Sequence, residues 1–159
     1  MSHPRHVLFE AGGLALAVPA DAVQAIHDEL PLQRVEGTRP WFLGLAVADG
    51  RLLPVTDLGT WLGLRAAGGR TLQLHADVGI AGLRVDTVYG LSDADADIAT
   101  DDDIGGDFLP RHTSEEPSER RGAALTSLTI VEDGRQHRIV DLAGLLQDPG
   151  FLDIAAGDA

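Results

Sequence analysis

A motif that occurs twice is the strongest constraint on how this chain folds. Residues 50–58 read GRLLPVTDL, and residues 134–142 read GRQHRIVDL. In both copies an Asp-Gly pair opens an extended run and an Asp-Leu pair closes it, and the apolar pairs 61–62 and 145–146 then match. A repeated unit is expected to form a repeated structure. We therefore predict two related half-structures, each a small barrel-like sheet with a helical plug.

Local patterns predict a chain that is mostly β. Apolar runs flank turn residues at 11–13, 48–51 and 132–134, and each arrangement predicts a β-hairpin. Further strands are predicted at 71–77 and 80–88. A second, weaker repeat relates the segment from Gly13-Leu14 through Val18 to Val23 with the segment from Gly82-Leu83 through Val85 to Val88.

Short helices are predicted where a capping residue meets helical spacing. Asp57 precedes residues 58–62, with Gly63 as a stop, and Asp141 opens residues 141–146. A third helix, of about two turns, is predicted over 22–26, because apolar residues there recur at helical spacing after Pro19 and Asp21. We expect one domain over residues 1–159, with frayed ends at 1–6 and 157–159.

Composition excludes several classes of function. The chain has no cysteine and no lysine, so disulfide frameworks, thiolate metal sites and lysine-based catalysis are ruled out. The net charge of -13 repels phosphate backbones and anionic lipid headgroups, so nucleic acid is not an expected partner. The longest apolar run, residues 41–48, is far shorter than the ~20 residues that span a bilayer. With no signal-peptide pattern, the expected location is the cytoplasm, with no membrane insertion.

Patterns for metal binding and catalysis are weak. The acidic segment 92–107 does not fit a calcium loop, because Ile98 and Ile104 fall where the turning glycine and the bidentate glutamate belong. His75 and Asp77 can share one face of a predicted strand, but catalysis would also need a nucleophile, and no nucleophile motif accompanies them. We predict no catalytic residue, no metal site and no cofactor.

Five pieces in order resemble the CheW-like domain, the adaptor of bacterial chemosensory systems. The resemblance covers about 7–156. Its pieces are Val18-Pro19 with Val23–Ile26, Pro40–Gly44, Gly50 with Leu53–Leu58, Gly82–Val88 and Ile139–Leu146. The resemblance implies an all-β fold of two five-stranded SH3-like barrels packed on a shared core, with a few short helices. It also implies a non-catalytic protein that couples the cytoplasmic tip of a chemoreceptor to the regulatory domain of a CheA-like histidine kinase.

Two departures from the family pattern fall in its contact region. Members commonly carry Asn-Leu-Arg-Gly at the second hairpin turn, where this chain has Val47–Gly50, so an anion at Asp49 replaces a cation. Ala25 replaces an acidic residue that is common in the family. Two interpretations follow: a coupling protein whose partners carry compensating charges, or a divergent member that resembles the adaptors of type IV pilus chemosensory clusters.

The resemblance also implies a partner-binding surface. Its candidate residues are Val23, Ala25, Ile26, Gly44, Asp49, Gly82 and Asp86. Val23 is equally suited to the core and to an interface, and Asp86 is equally suited to a contact and to a local cap or turn. The two glycines suit backbone requirements better than partner contacts. The competing hypothesis from another class is a small-molecule-binding β-barrel that senses a ligand without a kinase.

Overall fold

Two sheets and a few short helical segments make up the computed structural model, which describes residues 5–98, 124–148 and 151. The six strands of the first sheet are β1 (His6–Ala11), β2 (Leu14–Pro19), β8 (Thr87–Ser92), β9 (Asp97–Ile98), β10 (Leu125–Glu132) and β11 (Arg135–Val140). The five strands of the second are β3 (Val23–His27), β4 (Phe42–Ala48), β5 (Arg51–Asp57), β6 (Arg70–Leu74) and β7 (Gly82–Val85). The helical segments are a 3-10 helix (Ala20–Ala22), α1 (Leu58–Trp61) and α2 (Leu142–Gln147).

The two sheets follow one plan. Their strand orders are β8-β1-β2-β11-β10-β9 and β3-β6-β7-β5-β4, and each places a parallel pair in the middle of an otherwise antiparallel sheet. In one sheet β11 runs parallel to β2, and in the other β5 runs parallel to β7. The predicted pair of SH3-like subdomains is confirmed, with a sixth strand, the two-residue β9, added at the edge of one sheet. We call them the six-stranded and the five-stranded subdomain.

The repeated Asp-Gly pairs form the tight turns of equivalent hairpins. Asp49 and Gly50 have φ of 55° and 74°, and Asp133 and Gly134 have φ of 54° and 77°. Two successive residues with positive φ are the requirement of a type I′ turn, whose twist matches that of paired strands. Aspartate tolerates this conformation and glycine has no penalty for it, so the sequence pattern and the hairpins β4–β5 and β10–β11 agree.

Both predicted helix caps are confirmed. The Asp57 carboxylate accepts a hydrogen bond from the Thr60 amide at 3.1 Å, and the Asp141 carboxylate accepts one from the Gly144 amide at 3.0 Å. Each helix therefore begins directly after the second strand of its hairpin. Gly63, with φ of 78°, follows α1 as predicted.

The predicted helix over residues 22–26 is wrong. The 3-10 helix ends at Ala22, and residues from Val23 onward form β3, which pairs antiparallel with β6. The residues of β6 that pair with β3 lie far along the chain. Their hydrogen bonds to β3 outweigh the local spacing of apolar residues, which suits a short helix and a strand alike. The strand predicted over 71–77 ends at Leu74, so His75 and Asp77 lie in the following turn and not on a strand face.

One large core joins the two subdomains. Phe9, Leu16 and Val18 of the six-stranded subdomain belong to the same buried cluster as Trp61 and Leu72 of the five-stranded one. Each subdomain also has a small interior cluster of its own. No helix within 5–98 and 124–148 is long and apolar enough to cross a membrane. The acidic residues beyond Ile98 and the predicted frayed ends at 1–4 and 157–159 lie outside the described residues. The predicted fraying of residues 1–6 is wrong at His6, which is buried and begins β1.

Candidate functional site

Three of the seven candidate residues converge on a glutamine that the sequence analysis did not single out. Gln73 on β6 lies directly opposite Ala25 on β3 and directly opposite Gly82 on β7. Its side-chain amide donates a hydrogen bond to the Asp49 carboxylate at 3.1 Å. Ala25, Asp49 and Gly82, which are far apart in the sequence, are therefore all neighbours of Gln73, the first and last as strand-pairing partners and Asp49 through its carboxylate.

His27 extends this polar contact to β3. Its Nε2 lies 2.9 Å from the Gln73 side-chain oxygen. Since Gln73 uses its amide nitrogen as the donor to Asp49, its oxygen is the acceptor, and the proton belongs on Nε2 of His27. The chain of donors runs from His27 through Gln73 to Asp49, and it holds the carboxylate at the tip of the β4–β5 hairpin.

A hollow of about 180 Å³ lies beside this carboxylate. We call it the Asp49 hollow, and its lining includes Ala48, Asp49, Arg51, Leu52, Gln73 and Ile80. Leu52 and Ile80 are exposed by 61% and 45%, so its rim is apolar on one side and charged on the other. The combination of exposed apolar and polar groups is typical of a protein-contact surface.

The structure places the other four candidate residues in different settings. Val23 is half-buried and packs against the large core, whereas Ile26 on the same strand is 41% exposed. Gly44 is buried with φ of 140°, and a Cβ there would lie 2.5 Å from the Gln33 carbonyl oxygen, which is a backbone requirement. Asp86 accepts hydrogen bonds from the Gly13 and Gly68 amides, both at 3.3 Å, so it also ties two turns together.

A second polar cluster lies on the six-stranded subdomain. Tyr89 donates a hydrogen bond to Glu10 at 2.5 Å, and Arg135 donates to both, at 3.2 Å each. The bond from Tyr89 lowers the pKa of Glu10, and the same bond raises the pKa of Tyr89. Burial lowers the pKa of the neighbouring His137, whose ring packs edge-on against Tyr89 at 5.9 Å. The cluster links β1, β8 and β11, which indicates a structural role.

Metal-binding groups do not gather in the described part of the chain. Across 5–98 and 124–148, no three His, Asp or Glu side chains come together in a way that could hold a metal ion. Nδ1 of His75 lies 3.6 Å from the Asp77 carboxylate, and both side chains are exposed in the turn after β6. Asp93, the first carboxylate of the acidic segment, pairs with Arg5 at 2.9 Å.

Comparisons with known proteins agree on one family. The model of the CheW-like domain matches residues 5–150. The protein PilI of Pseudomonas aeruginosa is 35% identical over 88 residues, a match that covers 52% of this chain and 49% of PilI. The crystal structure of the scaffolding protein TtCheW from Thermoanaerobacter tengcongensis superposes with a TM-score of 0.66 at 18% identity, over 93% of this chain and 95% of TtCheW. At that identity the structural likeness shows the fold.

Proposed function

The chain belongs to the CheW-like domain family, and on that premise we propose that it is a non-catalytic adaptor in a bacterial chemosensory system. It holds the regulatory domain of a CheA-like histidine kinase beside the cytoplasmic tip of a chemoreceptor. The state of the receptor then reaches the kinase through the geometry of the two contacts. This role places the protein in the cytoplasm, and it requires surfaces for protein contact instead of a reaction centre.

One observation carries the proposal: Asp49 is exposed at the tip of the β4–β5 hairpin, and Gln73, the pairing partner of Ala25 and Gly82, holds its carboxylate. Gln73 and Gly82 are buried, and the exposed side chains of Ile26 and Leu52 lie on the same subdomain. Residues kept exposed on a rigid β scaffold can bind a partner with little ordering cost.

The likeness to PilI favours a type IV pilus chemosensory system as the pathway that this adaptor serves. The match spans about half of each chain. Asp49 also replaces the arginine that members of the general family commonly carry at this turn. Deletion of the gene is expected to reduce twitching on surfaces and to leave swimming unchanged. Loss of swimming alone would assign the adaptor to flagellar control.

Calorimetric titration tests the adaptor role directly. The protein is titrated with the regulatory domain of a CheA-like kinase from the same genome, and separately with a receptor-tip fragment. We expect micromolar or tighter binding to at least one of them, which corresponds to about -8 kcal/mol. A folded protein that binds neither would contradict the adaptor role.

The Asp49→Arg variant tests whether the surface around Gln73 is a contact. We expect it to weaken binding about tenfold, because a reversed charge opposes the partner's complementary charge. Asp133→Arg is the matched control, since Asp133 has the same turn conformation in the other subdomain, with φ of 54° against 55°. Equal affinities for both variants and the wild type would remove Asp49 from the interface.

A ligand-sensing role is the second candidate, and a cleft of about 680 Å³ favours it. That volume lies within the range of small-molecule sites. Its apolar walls are Phe42, Pro54, Val78, Ile80, Leu146 and Phe151. A thermal-shift screen separates the two roles, because a ligand at 100 times its dissociation constant stabilises by about 2.7 kcal/mol. An adaptor without a ligand would show no metabolite response.

A further inference from the structure

The Asp49 hollow has the size of a site for one side chain. Its volume of about 180 Å³ is below the roughly 300–1,000 Å³ that drug-sized ligands fill. Ala48, Leu52 and Ile80 give it apolar walls, and the Gln73 amide closes one side. A long side chain with a methylene stem and a polar end matches this combination of surfaces.

The carboxylate at its rim is held in place but not neutralised. One oxygen of Asp49 accepts the Gln73 amide, and among the described residues the other oxygen has no hydrogen-bond donor. No cation of the described chain lies within salt-bridge distance of Asp49. Arg51 also lines the hollow, so one cation is nearby without pairing. A fixed carboxylate with a free oxygen is suited to a guanidinium group.

We infer that the Asp49 hollow receives an arginine side chain from the adaptor's protein partner. The arginine stem packs against Leu52 and Ile80, and its guanidinium pairs with the free oxygen of Asp49. Gln73 and His27 are positioning residues, because they act on the partner only through the orientation of Asp49. The inference rests on the proposed function and adds the chemistry of the group that is recognised.

An NMR titration tests the hollow without the kinase or the receptor. The probe is Nα-acetyl-arginine methylamide, and the readouts are the side-chain amide of Gln73 and the backbone amides of Asp49 and Gly50. We expect saturable shifts of these signals with the arginine probe. Nα-acetyl-citrulline methylamide, which has the same shape without the charge, is expected to bind about tenfold more weakly.

Variants assign the binding to Asp49. Asp49→Asn keeps the size and the turn conformation and is expected to weaken the arginine probe about tenfold. Asp133→Asn is the control at the equivalent turn and is expected to change nothing. Gln73→Leu removes the bond to Asp49 and is expected to weaken binding less than Asp49→Asn, with the loss greatest for the arginine probe.

Three outcomes would overturn the inference. They are citrulline binding as tight as arginine binding, the absence of saturable shifts, and a preference for Nα-acetyl-glutamate methylamide, which would assign the hollow to Arg51 and an anionic partner. The proposed function fails separately: if the arginine probe binds as expected while kinase and receptor fragments do not, the hollow is real and the partner is another arginine-bearing protein.

Discussion

Gly44 and Gly90 have backbone conformations that side chains rarely adopt, with φ of 140° and 132°, but their surroundings differ. A Cβ at Gly44 would lie 2.5 Å from the Gln33 carbonyl oxygen, whereas a Cβ at Gly90 meets nothing within 4 Å. We predict that Gly90→Ala lowers the free energy of unfolding by about 1 kcal/mol and Gly44→Ala by about 3 kcal/mol or more. Urea denaturation measures both. Equal losses would mean that backbone conformation alone requires Gly44.

His137 makes stability depend on pH. Burial lowers its pKa from 6.5, so the unfolded chain binds a proton more readily than the folded one. Stability from this residue is complete above pH 6.5 and falls as the pH drops toward the folded pKa. Burial also lowers the pKa of His6, which acts in the same direction.

We predict that the free energy of unfolding decreases between pH 7.5 and 5.5, and that His137→Gln reduces this slope. His75→Gln, which removes an exposed histidine elsewhere in the fold, is the control substitution. Chemical denaturation at several pH values provides the measurement. A slope that is the same in wild type and His137→Gln would assign the pH dependence to other groups.

At the scale of elements, the two capping aspartates differ in the number of backbone amides that they bind. Asp57 is buried and accepts hydrogen bonds from Thr60 and also from the Ala67 amide, at 2.9 Å and 3.2 Å. Asp141 is half-buried and accepts one, from Gly144. Asp57 therefore fixes both the start of α1 and the segment that follows it.

We predict that Asp57→Ala costs about 3 kcal/mol of stability, because a cap is lost and a buried amide is left without a partner. Asp141→Ala, the matched change in the other subdomain, is expected to cost about 1 kcal/mol. Urea denaturation of the two variants compares them. Equal losses would show that the bonds to Ala67 contribute little.

These caps and the Asp-Gly hairpins were predictable because their causes are local. A cap bonds an amide three residues away, and a type I′ turn depends on two adjacent residues. The local spacing of residues 22–26 wrongly predicts a helix because strand β3 is stabilised by pairing with the distant strand β6. His27 on β3 and Gln73 on β6, for example, are 46 positions apart in the sequence. Gln73 was missed for the same reason, since its contact with Asp49 spans 24 positions. No local sequence pattern around Gln73 predicts its hydrogen bonds with Asp49 and His27.

At the scale of the whole molecule, the chain crosses between the two subdomains twice. β3 follows β2 of the six-stranded sheet but pairs at the edge of the other sheet, and β8 follows β7 of the five-stranded sheet but pairs with β1. The weaker repeat of 13–23 with 82–88 is explained by these crossings, because each segment contains a central strand and the start of the next strand, which lies in the other sheet. The five-stranded sheet uses the consecutive strands β3 to β7, whereas the six-stranded sheet combines β1 and β2 with β8 to β11 from the other side of that segment.

A joint core and two chain crossings predict one cooperative unfolding transition. Ile130 is fully buried in the interior of the six-stranded subdomain, away from the aromatic cluster of Trp41, Trp61 and Phe151. We predict that Ile130→Ala lowers the free energy of unfolding by about 3 kcal/mol. The same loss is expected when denaturation is followed by tryptophan fluorescence, with a shifted midpoint, although the tryptophans lie elsewhere. Val131→Ala is the control on the adjacent, 48% exposed position.

A tryptophan midpoint that stays unchanged in Ile130→Ala, while circular dichroism shows partial unfolding, would mean that the subdomains melt separately.

A single transition has a consequence for the proposed adaptor. A protein that transmits receptor state through the relative placement of two contacts needs both contacts on one rigid body. The joint core supplies that rigidity, because separating the two sheets would expose Phe9 and Leu16 on one side and Trp61 on the other.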